Sequence, residues 1–171
     1  MRLALLKALG FVLLLGVAPL AVGGHPTPPA PAFPPPPPGA PPEVRELVEA
    51  VNRHRVARGL SPLIWDARLA AVARAHSAEM VRLGRLSHAD RKGRTPFDRL
   101  DAAGVRWSAA AENIAEGHET AREVLGDWLA SPGHRANLES RDFTHHGVAL
   151  VGKYWTHVFV STPAPRAERA E

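Results

Sequence analysis

Eleven prolines fall within the eighteen residues 25–42, five of them in a row at 34–38, and this run decides how much of the chain can fold. Proline fixes its own φ and has no backbone N–H to donate, so the stretch can build neither a helix interior nor a central strand. It reads as a polyproline II spacer reaching on the order of 50 Å, at ~3.1 Å per residue. A leader remnant with no role is the alternative. A packed core is therefore expected only over residues 43–162, with 163–171 as a flexible tail.

Residues 1–24 have the layout of a secretory signal peptide. Arg2 and Lys7 give a positive start, Ala8 to Leu15 is nearly unbroken apolar sequence, and small residues follow at Ala18, Ala21, Gly23 and Gly24. The apolar run is shorter than the ~20 residues of a membrane span, and an uncleaved anchor is the alternative. No later stretch is apolar enough to cross a bilayer. There is no cysteine, which excludes disulfides, thiolate nucleophiles and Fe–S clusters. An exported domain of this kind must hold its fold by packing alone, and export from a bacterium-like cell fits best. Without Arg2 and Lys7 the chain keeps 19 basic against 17 acidic residues, and they are interspersed. With no basic stripe interleaved with aromatics, nucleic acid is not expected as a partner.

Within the expected domain, Val44, Leu47, Val48 and Val51 mark one face of a helix over Glu43 to Ala57, stopped by Gly59. Asp66 can cap a second helix to about Leu83, with Leu69, Ala73, His76, Met80 and Leu83 on one face and Gly84 at its end. Thr95-Pro96 starts a short third helix that Gly104 closes. Thr120 to Glu123 is a capping box for a fourth helix presenting Val124, Leu125, Trp128 and Leu129. Ser131-Pro132 repeats the cap-plus-proline start and puts His134 in the first turn of a further short piece. The period then changes. Gly147–Val151 and Tyr154–Val160 read as strands joined by Gly152-Lys153, a type II′ hairpin loop, and Ile114 with its neighbours offers a third strand. The pattern argues α+β, with helices covering a small antiparallel sheet.

Three short stretches place polar side chains among small and apolar ones: Leu86 to Asp90, Ala111 to Ala115, and Ser131 to Leu138. They offer His88, Glu112 and His134. Two neutral imidazoles and a carboxylate suit Zn²⁺, with water as fourth ligand. Without metal, a His–Glu hydrogen bond can poise a general base. A buried polar network that only fixes the fold is the third option. Ser131 reads as a helix cap, and no glycine elbow marks Ser131, Ser87 or Ser77 as a nucleophile. His76 on its apolar face reads as a core histidine that can line a cleft floor. Of His145 and His146, adjacent on a strand, only one can reach the interior. His25, His54, His118 and His157 read as surface or packing residues, and Asn113, Arg135 and Asn137 as supports around Glu112 and His134. The four tryptophans read as core or cleft rim.

In order along the chain stand Asn52-x-x-Arg55, "LIWD" from Leu63, "LSH" ending at His88, "AENIAEG" around Glu112, and "SPGHRANL" around His134. This series resembles the CAP superfamily of cysteine-rich secretory, venom-antigen and plant pathogenesis-related proteins, above all its bacterial secreted SCP-like branch, over about Val44 to Ser161. The resemblance implies an α-β-α sandwich and a central cleft holding two histidines and two acids. By position these are His88, Glu112 and His134, while the second acid, three residues after Trp128, is replaced by Ser131.

The resulting expectation is a secreted or envelope domain binding a ligand at a cleft of His88, Glu112, Ser131, His134, Asn113 and His76. The metal candidates are His88 and His134, no cofactor is required, and no catalytic residue is assigned. A metal ion, lipid, glycan, envelope component or extracellular protein all remain open as partners. A metal-dependent hydrolase or peptidase using the same cleft, and a structural module with a vestigial cleft, are the alternatives.

Overall fold

The computed structural model describes residues 38–162 together with Pro36. The expected signal peptide, most of the proline run and the tail lie outside the described residues. Five helices and four strands follow in the order α1 (Pro42–Ala57), β1 (Ile64–Trp65), α2 (Ala67–Leu83), α3 (Pro96–Ala102), β2 (Ala109–Glu116), α4 (Ala121–Ala130), α5 (Pro132–Glu139), β3 (His145–Val151) and β4 (Tyr154–Ser161). The class is α+β, as expected, and helices cover both faces of the sheet.

Local chemistry sets the boundaries. Asp66 caps α2 by accepting from the backbone N–H groups of Arg68 and Leu69 at 2.7 and 3.4 Å. Gly84 then ends α2 in the left-handed region, at φ 64°. The expected capping box forms at Thr120/Glu123, and Thr95/Asp98 forms a second. Thr120→Ala removes one of these bonds from an exposed helix start and is expected to cost about 1 kcal/mol, read as a lower urea midpoint with an unchanged slope.

The strand order is β1-β3-β4-β2. The two pairs β3–β4 and β4–β2 are antiparallel, but β1 joins β3 in parallel, so the sheet is mixed rather than wholly antiparallel. Two residues of the "LIWD" stretch, Ile64 and Trp65, supply that unexpected edge strand. The β3–β4 hairpin turns at Gly152, φ 58°, with no positive φ at Lys153, as a II′ turn requires.

Alternation along the strands divides the core into two layers. On one face Trp155 and Phe159 of β4 and Val148 of β3 meet Leu47, Val48 and Val51 of α1 and Val124 and Trp128 of α4. On the other, Val158, Val160 and Ala149 meet Leu69, Val72 and Ala73 of α2 and Leu100 of α3. The Asn52 and Arg55 side chains staple the first layer. The Asn52 amide exchanges two bonds with the backbone of Leu63, at 2.8 and 3.0 Å. The buried Arg55 guanidinium donates to the carbonyls of Ser61, Leu138 and Ser140. Hydrogen bonds to a charged donor are the stronger kind, and these three tie α1 to the loop that follows it and to the C-terminal end of α5.

Candidate functional site

The site forms at the exposed edge of β2, where the two layers come together. Glu112 and Asn113 are consecutive on that strand, so their side chains leave opposite faces. Glu112 turns toward α2 and α3. Its carboxylate is 1% exposed and takes Arg99 Nη2 at 2.7 Å, His88 Nδ1 at 2.9 Å and His76 Nε2 at a longer 3.7 Å. Asn113 turns toward α5. Its amide donates to the carbonyl of His134 at 3.0 Å and accepts from Asn137 at 2.8 Å. One edge strand thus anchors the His88 loop through one residue and the His134 turn through the next.

Each histidine is then defined by its bonds. His76 lies fully buried on α2 and donates Nε2–H to the carbonyl of Ser87 at 2.8 Å, which holds the loop before His88. Burial, opposed by the Glu112 charge, keeps His76 below its usual range. His88 is half exposed, and a neutral ring donating Nδ1–H to Glu112 at 2.9 Å carries its lone pair on Nε2. His134, in the first turn of α5, lies with its ring centroid 6.5 Å from that of Trp128. Its pKa is lowered first by burial and then by the charge of His88, so it is neutral at pH 7 and within the electrostatic reach of His88.

His88, His76 and Arg99 thus meet on Glu112, while His134 is tied to the same strand only through its backbone carbonyl on Asn113. Ser131 sits where α4 ends and α5 begins, but its hydroxyl makes no capping bond; its backbone N–H donates to the carbonyl of Asp127 at 3.1 Å and its carbonyl accepts from the N–H of Arg135 at 2.9 Å. Asn113 holds the His134 turn rather than the carboxylate. Arg99, which sequence reasoning did not single out, is the strongest partner of Glu112, and also donates to the carbonyls of His88 and Arg94. Nothing in its own stretch marks it, because it meets Glu112 from another element. Ser77 is buried and bonded to Thr156, and Ser87 caps its own loop, so neither hydroxyl is paired with a base.

The donor set fits a metal ion only in part. Glu112 does not fit as a ligand, because a guanidinium already occupies one carboxylate oxygen and imidazoles the other. Among the described residues no group of three or more His, Cys, Asp and Glu side chains is arranged around one point. The feature that does suit a ligand is Glu112 behind His88, fixing its tautomer, the usual arrangement behind a ligating histidine.

Residues 48–161 match the Cysteine-rich secretory protein family, abbreviated CAP, and the chain belongs to that family. It is 38% identical over 118 residues to the Bacillus subtilis (strain 168) protein YkwD, a match covering 68% of this chain and 46% of YkwD. It is similar to an extracellular protein containing a SCP domain from Bacillus anthracis, at 34% identity and TM-score 0.68, over 70% of this chain and 40% of that one. The fold also matches an outer surface protein of Borrelia burgdorferi, with TM-score 0.67 at 21% identity, over 71% and 93% of the two chains. The chain thus spans less than half the length of YkwD and of the Bacillus anthracis protein. These relatives include extracellular and surface proteins, and no helix among the described residues is long and apolar enough to cross a membrane.

Proposed function

We propose that this CAP domain works outside the cell or in the envelope, carried there by the leader at 1–24 and held off a surface by the spacer at 25–42. There it binds a ligand at the β2-edge cleft of His88, Glu112, Ser131, His134, Asn113 and His76. The ligand class favoured by the chemistry is a divalent cation such as Zn²⁺, held by His88 and His134, with waters or a bound partner's own donors completing the shell. One observation carries this reading: the His88 Nδ1–Glu112 contact at 2.9 Å, which turns the Nε2 lone pair of the neutral ring away from the carboxylate and offers it to a cation. A bound cation would present open positions to a glycan, lipid headgroup or protein side chain.

Adding Zn²⁺ is expected to shift the imidazole NMR signals of His88 and His134 while leaving those of the buried His146 and His157 in place. Shifts confined to other histidines would sink the reading. Glu112→Gln keeps the shape and one acceptor but removes the charge behind His88, and is expected to weaken Zn²⁺ by ~10–100-fold in a calorimetric titration. Unchanged affinity would separate the carboxylate from the site.

A structural role is the second reading. Ser131 in place of an acid favours it, and so does the wiring of Asn113 to backbone and of Glu112 to Arg99. It predicts that His88→Ala and His134→Ala change stability and no affinity. The Arg99 pairing also disfavours Glu112 as a general base, which weakens the hydrolase alternative.

A further inference from the structure

The point at which the proline run joins the domain is held. Pro36 is buried, and residues 38–40 form a turn just before α1. Arg45 of α1 fixes that turn, its Nη1 donating to the carbonyls of Pro38 and Ala40 at 3.1 and 3.2 Å.

A groove of about 270 Å³ opens at the same point. Residues 39–41 form one wall, Trp65, Val148 and Leu150 lie along it, and the exposed Ala71 of α2 stands on its rim. The shortness of β1 is its cause. Ile64 and Asp66 donate to the carbonyls of Thr144 and His146, so the even-numbered residues of this stretch face β1. Val148 and Leu150 continue that row, but after Asp66 the chain turns into α2, and no strand lies beside them on that side among the described residues. Trp65 and Leu150 are only partly buried as a result.

The segment that leads into this point carries one residue that a solvated spacer does not need. Phe33 is the only large apolar side chain in residues 25–37. Polyproline II has three residues per turn, so Phe33 shares a face with the buried Pro36, about 9 Å away at ~3.1 Å per residue. Proline-rich segments dock in aromatic-lined grooves because the polyproline II helix is ordered before it binds. A ring tethered three residues from a fixed point also reaches the groove at an effective concentration of about mM or above, which a dilute partner does not match.

We propose that residues 31–35 fold back as a polyproline II strap and seat the Phe33 ring in this groove, against Trp65, Val148 and Leu150. The groove holds none of the cleft residues, so the proposal stands apart from the cation reading. Its consequence is for the spacer. The free length becomes residues 25–30, on the order of 20 Å at ~3.1 Å per residue, shorter than the reach of the whole run.

The test is NMR on residues 25–171, the chain left by the expected leader cleavage. Nuclear Overhauser contacts from the Phe33 ring to the methyl groups of Val148, Leu150 and Ala71 are expected, with an intensity independent of protein concentration. Phe33→Ala is expected to shift those methyl signals and the Trp65 indole signal while leaving the imidazole signals of His88 and His134 in place. Phe33 precedes every residue of the two core layers, so its replacement leaves them intact. Ala71→Gln, at an exposed position of α2, narrows the groove and is expected to lose the same contacts. Absent contacts, or groove signals unchanged in Phe33→Ala, overturn the strap. Contacts found only between chains, in a sample mixing labelled and unlabelled protein, overturn it in favour of a second copy on the groove. Contacts that survive Ala71→Gln overturn the placement of the ring.

Discussion

Gly147→Ala is expected to destabilise the domain by more than about 4 kcal/mol, most of the stability of a domain at the low end of the usual range of about 5–15 kcal/mol. Gly147 lies on β3 under the first turn of α2. A Cβ there would run into the backbone N of Ala70 and the backbone carbonyl carbon of Leu69, and would sit 2.6 Å from Leu69 Cβ. Extra methyl groups in a core cost about 1–3 kcal/mol when side chains can move aside. Here the obstacle is helix backbone, and relieving it means lifting α2, with Leu69 and Ala73, off the sheet. Gly126→Ala is the control. It lies inside α4 with nothing within 4 Å of a new Cβ, and should stabilise by roughly 0.5–1 kcal/mol. Urea unfolding of both variants reads the contrast. A Gly147→Ala protein as stable as the parent would mean that α2 does not sit this close to β3.

Acidification from pH 7 to pH 5 is expected to remove about 2 kcal/mol of stability through His146, with a further loss in the same direction through His157. These two imidazoles are completely buried, and His146 Nδ1 lies 3.0 Å from His157 Nε2. They are enclosed by the rings of Trp65, Trp128 and Phe159. The charged groups acting on them are Arg55 and His145, which like burial oppose protonation. Burial, the largest cause, pushes His146 down to about 3, and His157 is also held well below its ordinary value. In the unfolded chain both titrate near 6.5. The unfolded state therefore binds protons that the native state refuses, and stability is flat above about pH 7. It falls as pH drops below about 6.5, and the loss continues toward the folded values. Urea unfolding at pH 7, 6 and 5 checks the slope, and His146→Leu/His157→Leu should flatten most of it. Equal stability at pH 7 and pH 5 in the parent would contradict a neutral buried pair.

That pair was legible in principle. A two-residue turn at Gly152-Lys153 sets Val151 opposite Tyr154, hence Val148 opposite His157 and His146 opposite Phe159. His146 and His157 are then diagonal neighbours on one face. Reading His157 as a packing residue missed its partner, although the expectation that only one of His145 and His146 turns inward agrees with their burial. Helices were readable for a local reason: capping residues, first-turn prolines and terminal glycines act within one turn of where they stand. The edge strand β1 was not, because two residues show no period and their pairing with β3 spans about eighty residues of chain.

The candidate site follows the same division. His88, Glu112 and His134 stand out as polar residues in small, apolar surroundings, and the order of motifs groups them. What each one bonds to depends on contacts between elements. Arg99 on α3 looks like any helix-surface arginine until the fold brings Glu112 to it. Ser131 occupies a capping position without making the capping bond, whereas Thr95, also followed by proline, makes it.

The most direct test of the cleft is a calorimetric titration of Zn²⁺ into residues 25–171 at neutral pH, beside the His88→Ala/His134→Ala variant. Binding at micromolar affinity or tighter, lost in the double variant while its urea midpoint stays close to that of the parent, is the predicted result. Zinc binding that is absent from the parent, or equally strong in the variant, would contradict a cation site at this pair of histidines and leave the Glu112 cluster as a structural tie.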